Sequence, residues 1–448
     1  MAKDKAQNYD LLPVPEKIVL DACSDETVPE MAVMKQRWET NHISKEKITD
    51  QAAEQIERLK FSHVSKGDEV AIGVGSRGIA NISGIVVGII NCLREQGYHP
   101  FVFPAMGSHG GATVNGQIKM LESLGVTEET VGCEIRATMD TVVLGETSNR
   151  GVAVHADAHA AGADAIIPVN RVKAHTDFHG SVESGLSKML VIGMGKQRGA
   201  KTAHKWAADW SFRKMLPELT DFILEKLPVA GGVAIVEDEY HNTIVLEGVP
   251  PSDFLNREAE LLETAYERMP TIPFDNLDVL VVDEMGKDVS GTGMDTNVIG
   301  RMVYGNEPAP ESPDITRIFV RDLTMASHGN ATALGSADMI HADLFEEMNY
   351  TDTFVNMLTA STLKGVRIPA PVETDRAGLV ACLSTIGVTP GEEARVVRIR
   401  NTMDLEYIKI SSVLVDEAEE RDDLRVIADP KPVEFDENGQ YEVALLDV

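Results

Sequence analysis

Short, almost unbroken apolar runs alternate with helical stretches along this chain, and that alternation limits the fold more than any other feature. The runs read Glu69–Gly75 (EVAIGVG), His99–Pro104 (HPFVFP), Ala165–Val169 (AIIPV), Gly232–Val236 (GVAIV) and Leu277–Val282 (LDVLVV). A strand that is apolar on every residue is buried on both faces, as in a parallel sheet covered by helices. Helical patterns fall between the runs: Lys45–Leu59, Ile79–Glu95 closed by Gly97, and Asn115–Leu124 stopped by Gly125. Leu186–Gly193 and Ala200–Leu227 also read as helical, the latter with Pro217 as a kink or break. Further strands are expected at Arg317–Arg321 and Ala394–Ile399. The fold class that follows is α/β: two α/β domains with mainly parallel sheets flanked by helices. The active site of such a protein is expected in the interdomain cleft.

At 448 residues the chain exceeds one typical domain. The turn-rich link at Pro270–Asn276 (PTIPFDN) sets the expected boundary, giving an N-terminal domain of residues 1–273 and a C-terminal one of 274–448. The first sixty residues read as a polar extension followed by a helix. A formal charge of −30 repels nucleic acid and anionic membranes, and aromatics at 5% leave little for base stacking. Four scattered cysteines suggest neither a disulfide framework nor a zinc site. A cytoplasmic location is the expectation, because no apolar leader or bilayer-length segment stands out.

Gly73, Gly75 and Gly78 spell GxGxxG between a strand and a helix. In that setting the backbone approaches a phosphate, and Ser76, Arg77 and Gly78 are the candidates to hold one. The same pattern also serves a tight strand-to-helix turn. The acidic residue that would mark a dinucleotide site at the end of the next strand is absent. That strand runs instead into AMGSHGGAT, which places His109 in a glycine loop before a helix that Thr113 can cap. Ligands of open α/β sheets bind beyond strand C-termini, where this loop lies.

Residues 171–204 read RVKAHTDFHGSVESGLSKMLVIGMGKQRGAKTAH. His175 again follows a strand, and His179 comes four residues later. Two imidazoles from separate loops, one on each side of a carbon, meet the geometric need of a racemase or epimerase. Lys188 opens an apolar run, where an amine either snorkels to solvent or becomes a nucleophile. His204 lies near Trp206 and Trp210 and by itself reads as a packed or surface histidine. His155 and His159 stand at helical spacing without a third ligand nearby. In the second domain, Lys287 and Arg301 suggest an anion-contacting loop, and His328 occupies a small-residue loop like that of His109.

Taken in order, these residues resemble the nickel-pincer lactate racemase family, over most of the N-terminal domain. AMGSH resembles that family's Ala-x-Gly-x-His loop, and His175 followed by SGLSK resembles its second catalytic histidine and Ser-Gly-x-x-Lys. The resemblance implies His109 and His175 as catalytic bases, Lys188 as the cofactor tether and His204 as the nickel ligand. It implies Ser76, Arg77 and Gly78 as phosphate contacts. The implied cofactor is the nickel-pincer nucleotide, a pyridinium-3,5-bisthiocarboxylic acid mononucleotide carrying Ni. The implied activity is racemisation or epimerisation of a 2-hydroxy acid by proton-coupled hydride transfer, with Lys287, His179, His328 and Arg301 as candidates for binding it. The segment between His175 and Ser184 is longer than the family's, so His179 competes for the second base.

Two other readings stand beside this one. The glycine loop also suits a nicotinamide-dependent 2-hydroxy acid dehydrogenase, and the whole also suits a non-catalytic nucleotide- or metal-binding protein. Expected partners are a small hydroxy acid, neither nucleic acid nor membrane, and, as one option, a second copy in a homodimer.

Overall fold

The computed structural model describes residues 12–442 and 445, apart from 62, 77, 305 and 306. The chain divides into two compact units, Thr40–Met269 and the segment up to Glu39 together with Pro270–Val448. Both are α/β, with sheets that are mainly parallel. No helix among the described residues is long and apolar enough to cross a membrane.

In the Thr40–Met269 unit the sheet runs, edge to edge, His99–Pro104, Glu69–Val74, Ala165–Arg171, Gly232–Glu237 and Thr243–Val249. All but Thr243–Val249 are parallel. The apolar runs named in the sequence are these strands, and alternate residues feed different cores as strand geometry requires. Val70, Ile72 and Val74 join the core beneath the helices Ile48–Arg58 and Ile82–Glu95. Ala71, Phe101, Phe103 and Ile166 join the opposite core, under the helices Phe212–Lys226 and Phe254–Glu267. The chain passes from Glu69–Val74 to its neighbour on one side, then returns to lay Ala165–Arg171 on the other. That reversal is where an open α/β sheet opens a ligand crevice.

The second unit holds an eight-stranded sheet in the order Ala370–Val372, Met339–His341, Asp314–Leu323, Asn276–Met285, Val396–Ile399, Tyr407–Ser411, Met31–Gln36 and Leu424–Lys431. The first five are parallel and the last three antiparallel. Met31–Gln36 lies between two strands from the far end of the chain, and Gln36 donates to the Leu405 carbonyl at 2.8 Å. The opening segment therefore groups with residues 270–448, where the sequence counted it with residues 1–273. Strand pairing is non-local, and a six-residue run carries no mark of its partner.

Local signals fared unevenly. Thr113 caps the helix Val114–Ser123 by accepting the Gly116 N–H at 3.1 Å, and Gly125 follows it at φ 73°. The expected break at Pro217 is absent, since Pro217 sits inside Phe212–Lys226. The break falls at Ser211, at φ 69°, whose side chain caps the new helix. His155 and His159 do not share a helix: the first is in the strand Ala153–Asp157, and the second is in the short helix Ala158–Ala161 that Asp157 caps. The acidic stretch after Val415 forms a short helix, Val415–Glu419, and a turn.

Candidate active site

Ser76, His109 and His175 follow three adjacent parallel strands, Glu69–Val74, His99–Pro104 and Ala165–Arg171, each beyond its C-terminal end. The sheet thus brings to one edge residues that are separated by up to a hundred positions in sequence. Ser76 Oγ is hydrogen-bonded to His109 Nδ1. His109 is exposed and leads into the turn Gly110–Ala112, where Gly110 and Gly111 both have positive φ. Gly110 also packs so closely on Gly116 and Gln117 that an added Cβ would stand 2.5 Å from the Gly116 carbonyl carbon.

His175 meets Lys188. The amine is in hydrogen-bond contact with His175 Nε2 and lies 3.5 Å from Ser184 Oγ. The other ring nitrogen, Nδ1, accepts the Asp177 N–H at 2.9 Å. The His175 ring packs on Phe178 at 4.4 Å between centroids, and Phe178 stacks in turn on Phe212.

The buried carboxylate of Glu183 organises this loop. It accepts the His175 N–H at 2.6 Å, the Gly180 N–H at 3.1 Å and the Tyr266 hydroxyl at 2.9 Å. His179 Nδ1 meets the same hydroxyl at 2.8 Å. His175 and His179 therefore divide their roles by contact: one faces the lysine, the other the Glu183–Tyr266 pair. Neither Glu183 nor Tyr266 was marked by the sequence. Tyr266 arrives from the helix Phe254–Glu267, nearly ninety residues on.

Lys188 ends a short turn, Leu186–Lys188, that continues as one π-helical turn over Met189–Gly193. Such turns are rare and recur at functional sites. The Leu186–Lys188 turn is fixed from below by Glu258, also unmarked in the sequence. Its Oε2 accepts both the N–H and the hydroxyl of Ser187 at 2.8 Å, while Oε1 is buried without a hydrogen bond. Burial pushes the Glu258 carboxyl up to about 7, against the pull of the Ser187 donors. From above, Asn170 at the strand end donates to the Gly185 carbonyl at 2.8 Å.

His204 lies on the helix Lys196–Trp210 with its ring edge-on to Phe212, 5.1 Å between centroids. Burial lowers its pKa to about 4, and positive charge on Lys188 adds to the effect. Near neutral pH the ring is uncharged and keeps a nitrogen lone pair, the form that ligates a metal. His204 therefore offers an uncharged ring nitrogen and Lys188 an amine, both from residues 188–204. Among the described residues no group of three or more His, Cys, Asp or Glu side chains is arranged to hold a metal by itself.

Packing accounts for part of the glycine loop. An added Cβ at Gly73 would stand 3.0 Å from Phe103, and one at Gly75 would stand 3.0 Å from Asn170 Oδ1. Packing thus accounts for both glycines. Gly78 has open space around its Cβ direction. Arg77 lies outside the described residues. The Ala80 N–H, just beyond the loop, donates to Glu237 at 2.6 Å, and the same carboxylate pairs with Arg171.

In the other unit, Lys287 follows the strand Asn276–Met285, and its N–H donates to Ser327 Oγ at 3.0 Å. His328 is exposed, in left-handed backbone at φ 48° after the turn Met325–Ser327. Arg301 is taken up by its own framework. Its guanidinium donates to the carbonyls of Ser336, Ile315 and Thr316 and pairs with Asp338 at 2.8 Å.

No family model and no curated protein sequence matches the chain. Among solved structures it is similar to the lactate racemase apoprotein from Thermoanaerobacterium thermosaccharolyticum, at 12% sequence identity and a TM-score of 0.44, covering 81% of this chain and 83% of that one. A score of that size speaks to neither chemistry nor ligand.

Proposed function

We propose that the Thr40–Met269 unit carries the acid–base site of a 2-hydroxy acid racemase or epimerase that works with a tethered nickel-pincer nucleotide. The observation that carries this reading is the contact between His175 Nε2 and the Lys188 amine, made at the strand edge that also delivers the Ser76–His109 pair.

Lys188 and His204 are the residues that would hold the group, one through its amine and one through a neutral ring nitrogen. When bound, the group would supply a ring carbon able to take hydride from the substrate's carbon 2 and return it. His109 and His175 do the proton work. One imidazole removes the hydroxyl proton as the carbon becomes planar, and the other returns a proton to the same oxygen once the configuration has inverted. Ser76 orients the His109 ring through Nδ1, and Asp177 orients His175 in the same way. Each ring therefore has its second nitrogen for substrate or lysine. Glu183 and Tyr266 hold the His175 loop and engage His179, which supports the choice of His175 as the base over His179. Lys287 and His328 belong to the other unit and are given no part in this site. Arg301, with its donors occupied by backbone carbonyls, is proposed as a structural support within that unit.

The test is the intact mass and metal content of protein produced alongside the cofactor pathway, with turnover of a panel of 2-hydroxy acids. Nickel, an added mass on Lys188 and inversion of at least one acid are expected. If Lys188→Ala retains cofactor and full activity, the reading fails.

A further inference from the structure

Lys196 combines two unfavourable features. Its side chain is fully buried, and its backbone has φ 53°, the left-handed region that a side chain normally avoids. A buried ammonium and a strained backbone on one residue persist only where the surroundings fix both. Burial lowers the amine's pKa, while Asp157 opposes that shift.

The amine donates to the Pro104 carbonyl and to Gln117 Oε1 at 3.2 Å, and it forms an ion pair with Asp157 Oδ2 at 2.9 Å. Because the Gln117 oxygen faces the lysine, its amide nitrogen faces the other way. It donates to the Gly107 carbonyl at 3.0 Å and more loosely to the His109 carbonyl at 3.4 Å. The remaining oxygen of Asp157 caps the next turn through His159 and Ala160. On its far side the Gly107 N–H donates to the Gly193 carbonyl at 2.9 Å, at the end of the π turn that starts after Lys188. Lys196 itself opens the helix that carries His204.

One buried charge thus ties together the end of a strand, the loop of His109 and the helix of His204. We propose that Lys196, acting through Gln117, is a positioning residue that fixes the His109 loop against the Lys188–His204 segment. The catalytic meaning of this rests on His109 being a base; the mechanical meaning does not.

Two variants test it. Gln117→Met cuts the link from Lys196 to the loop and leaves the Lys196–Asp157 pair intact. Lys196→Met/Asp157→Asn removes both charges together, so that neither is left buried alone. Hydrogen exchange by mass spectrometry is read on peptides covering residues 105–112 and on the rest of the chain. The kcat and KM are read on protein produced with its cofactor. In both variants exchange over 105–112 is expected to rise about tenfold or more relative to distant helices, and kcat to fall by roughly 10²-fold with KM within about twofold, the scale of a small misplacement. Uniform exchange changes with kcat unaltered would make Lys196 a stabilising residue only and overturn the proposal. Faster exchange with unchanged kcat overturns it as well. If the wild-type protein turns over no 2-hydroxy acid, the racemase reading fails, and the exchange data alone decide whether Lys196 holds the loop.

Discussion

His175 Nε2 meets the Lys188 amine, while Nδ1 of the same ring already accepts the Asp177 N–H at 2.9 Å. The ring is thus engaged at both nitrogens, and the amine that would carry the tether is held by the imidazole proposed as a base.

That contact governs how Lys188 reacts. His175→Phe removes the amine's partner. Brief treatment with a small amine-directed reagent, followed by peptide mass mapping, is then expected to show the Lys188 rate, relative to that of exposed Lys226, change by about threefold or more. An unchanged ratio would show that His175 has no hold on the amine.

His204 gives a pH dependence of known sign. Its folded pKa is about 4, below the ordinary 6.5. Between those values the unfolded chain binds a proton that the folded one does not, so stability falls as pH drops from about 6.5 toward 4. Above 6.5 the contribution is complete. The slope approaches at most about 1.4 kcal/mol per pH unit. Thermal melts of wild type and His204→Gln over this window are expected to converge as pH falls. Parallel curves would rule the shift out.

Glu258 works in the opposite direction. Its folded pKa, about 7, lies above the ordinary 4.5. From 4.5 upward the unfolded chain gives up a proton that the folded one keeps, so this contribution is full below 4.5 and is lost as pH rises through 7. Glu258→Gln keeps an acceptor for Ser187 and removes the titration. It is expected to be more stable than wild type at pH 8 and to lose that advantage near pH 5, as read by denaturant unfolding. An advantage that does not change with pH would point to packing rather than charge.

Gly185 is needed for the Glu258 contact. An added Cβ would stand 2.1 Å from Glu258 Oε1. Gly185→Ala must displace the carboxylate from Ser187, at an expected cost of about 1–3 kcal/mol, typical of overpacking a filled site. The double variant Gly185→Ala/Glu258→Ala is expected to recover part of that loss, because the clash is gone. A single variant as stable as wild type would mean that the turn shifts freely.

Much of the first unit was legible because its signals are local. EVAIGVG, HPFVFP, AIIPV and GVAIV became strands, since unbroken apolar runs can be buried on both sides only in a covered sheet. Ser76, His109 and His175 were placed beyond strand ends by the same logic. Met31–Gln36 was missed because its partners lie nearly four hundred residues away. Pro217 misled because the helix continues through it at the loss of one backbone hydrogen bond, whereas the capping Ser211 looks ordinary in sequence.

What the sequence by itself determined was the class of fold, the strand-end loops and the types of residue on them. Apolar period, glycine and the short spacing between neighbours suffice for that. Only the tertiary structure decided which of those residues touch. It set His175 on Lys188, gave His179 to Tyr266 and Glu183, and depressed the His204 pKa by burial. It also raised Glu183, Glu258 and Lys196 from ordinary charged residues to the frame of the site. Their importance comes from burial and from partners far away in the chain, and neither is written in the residues beside them.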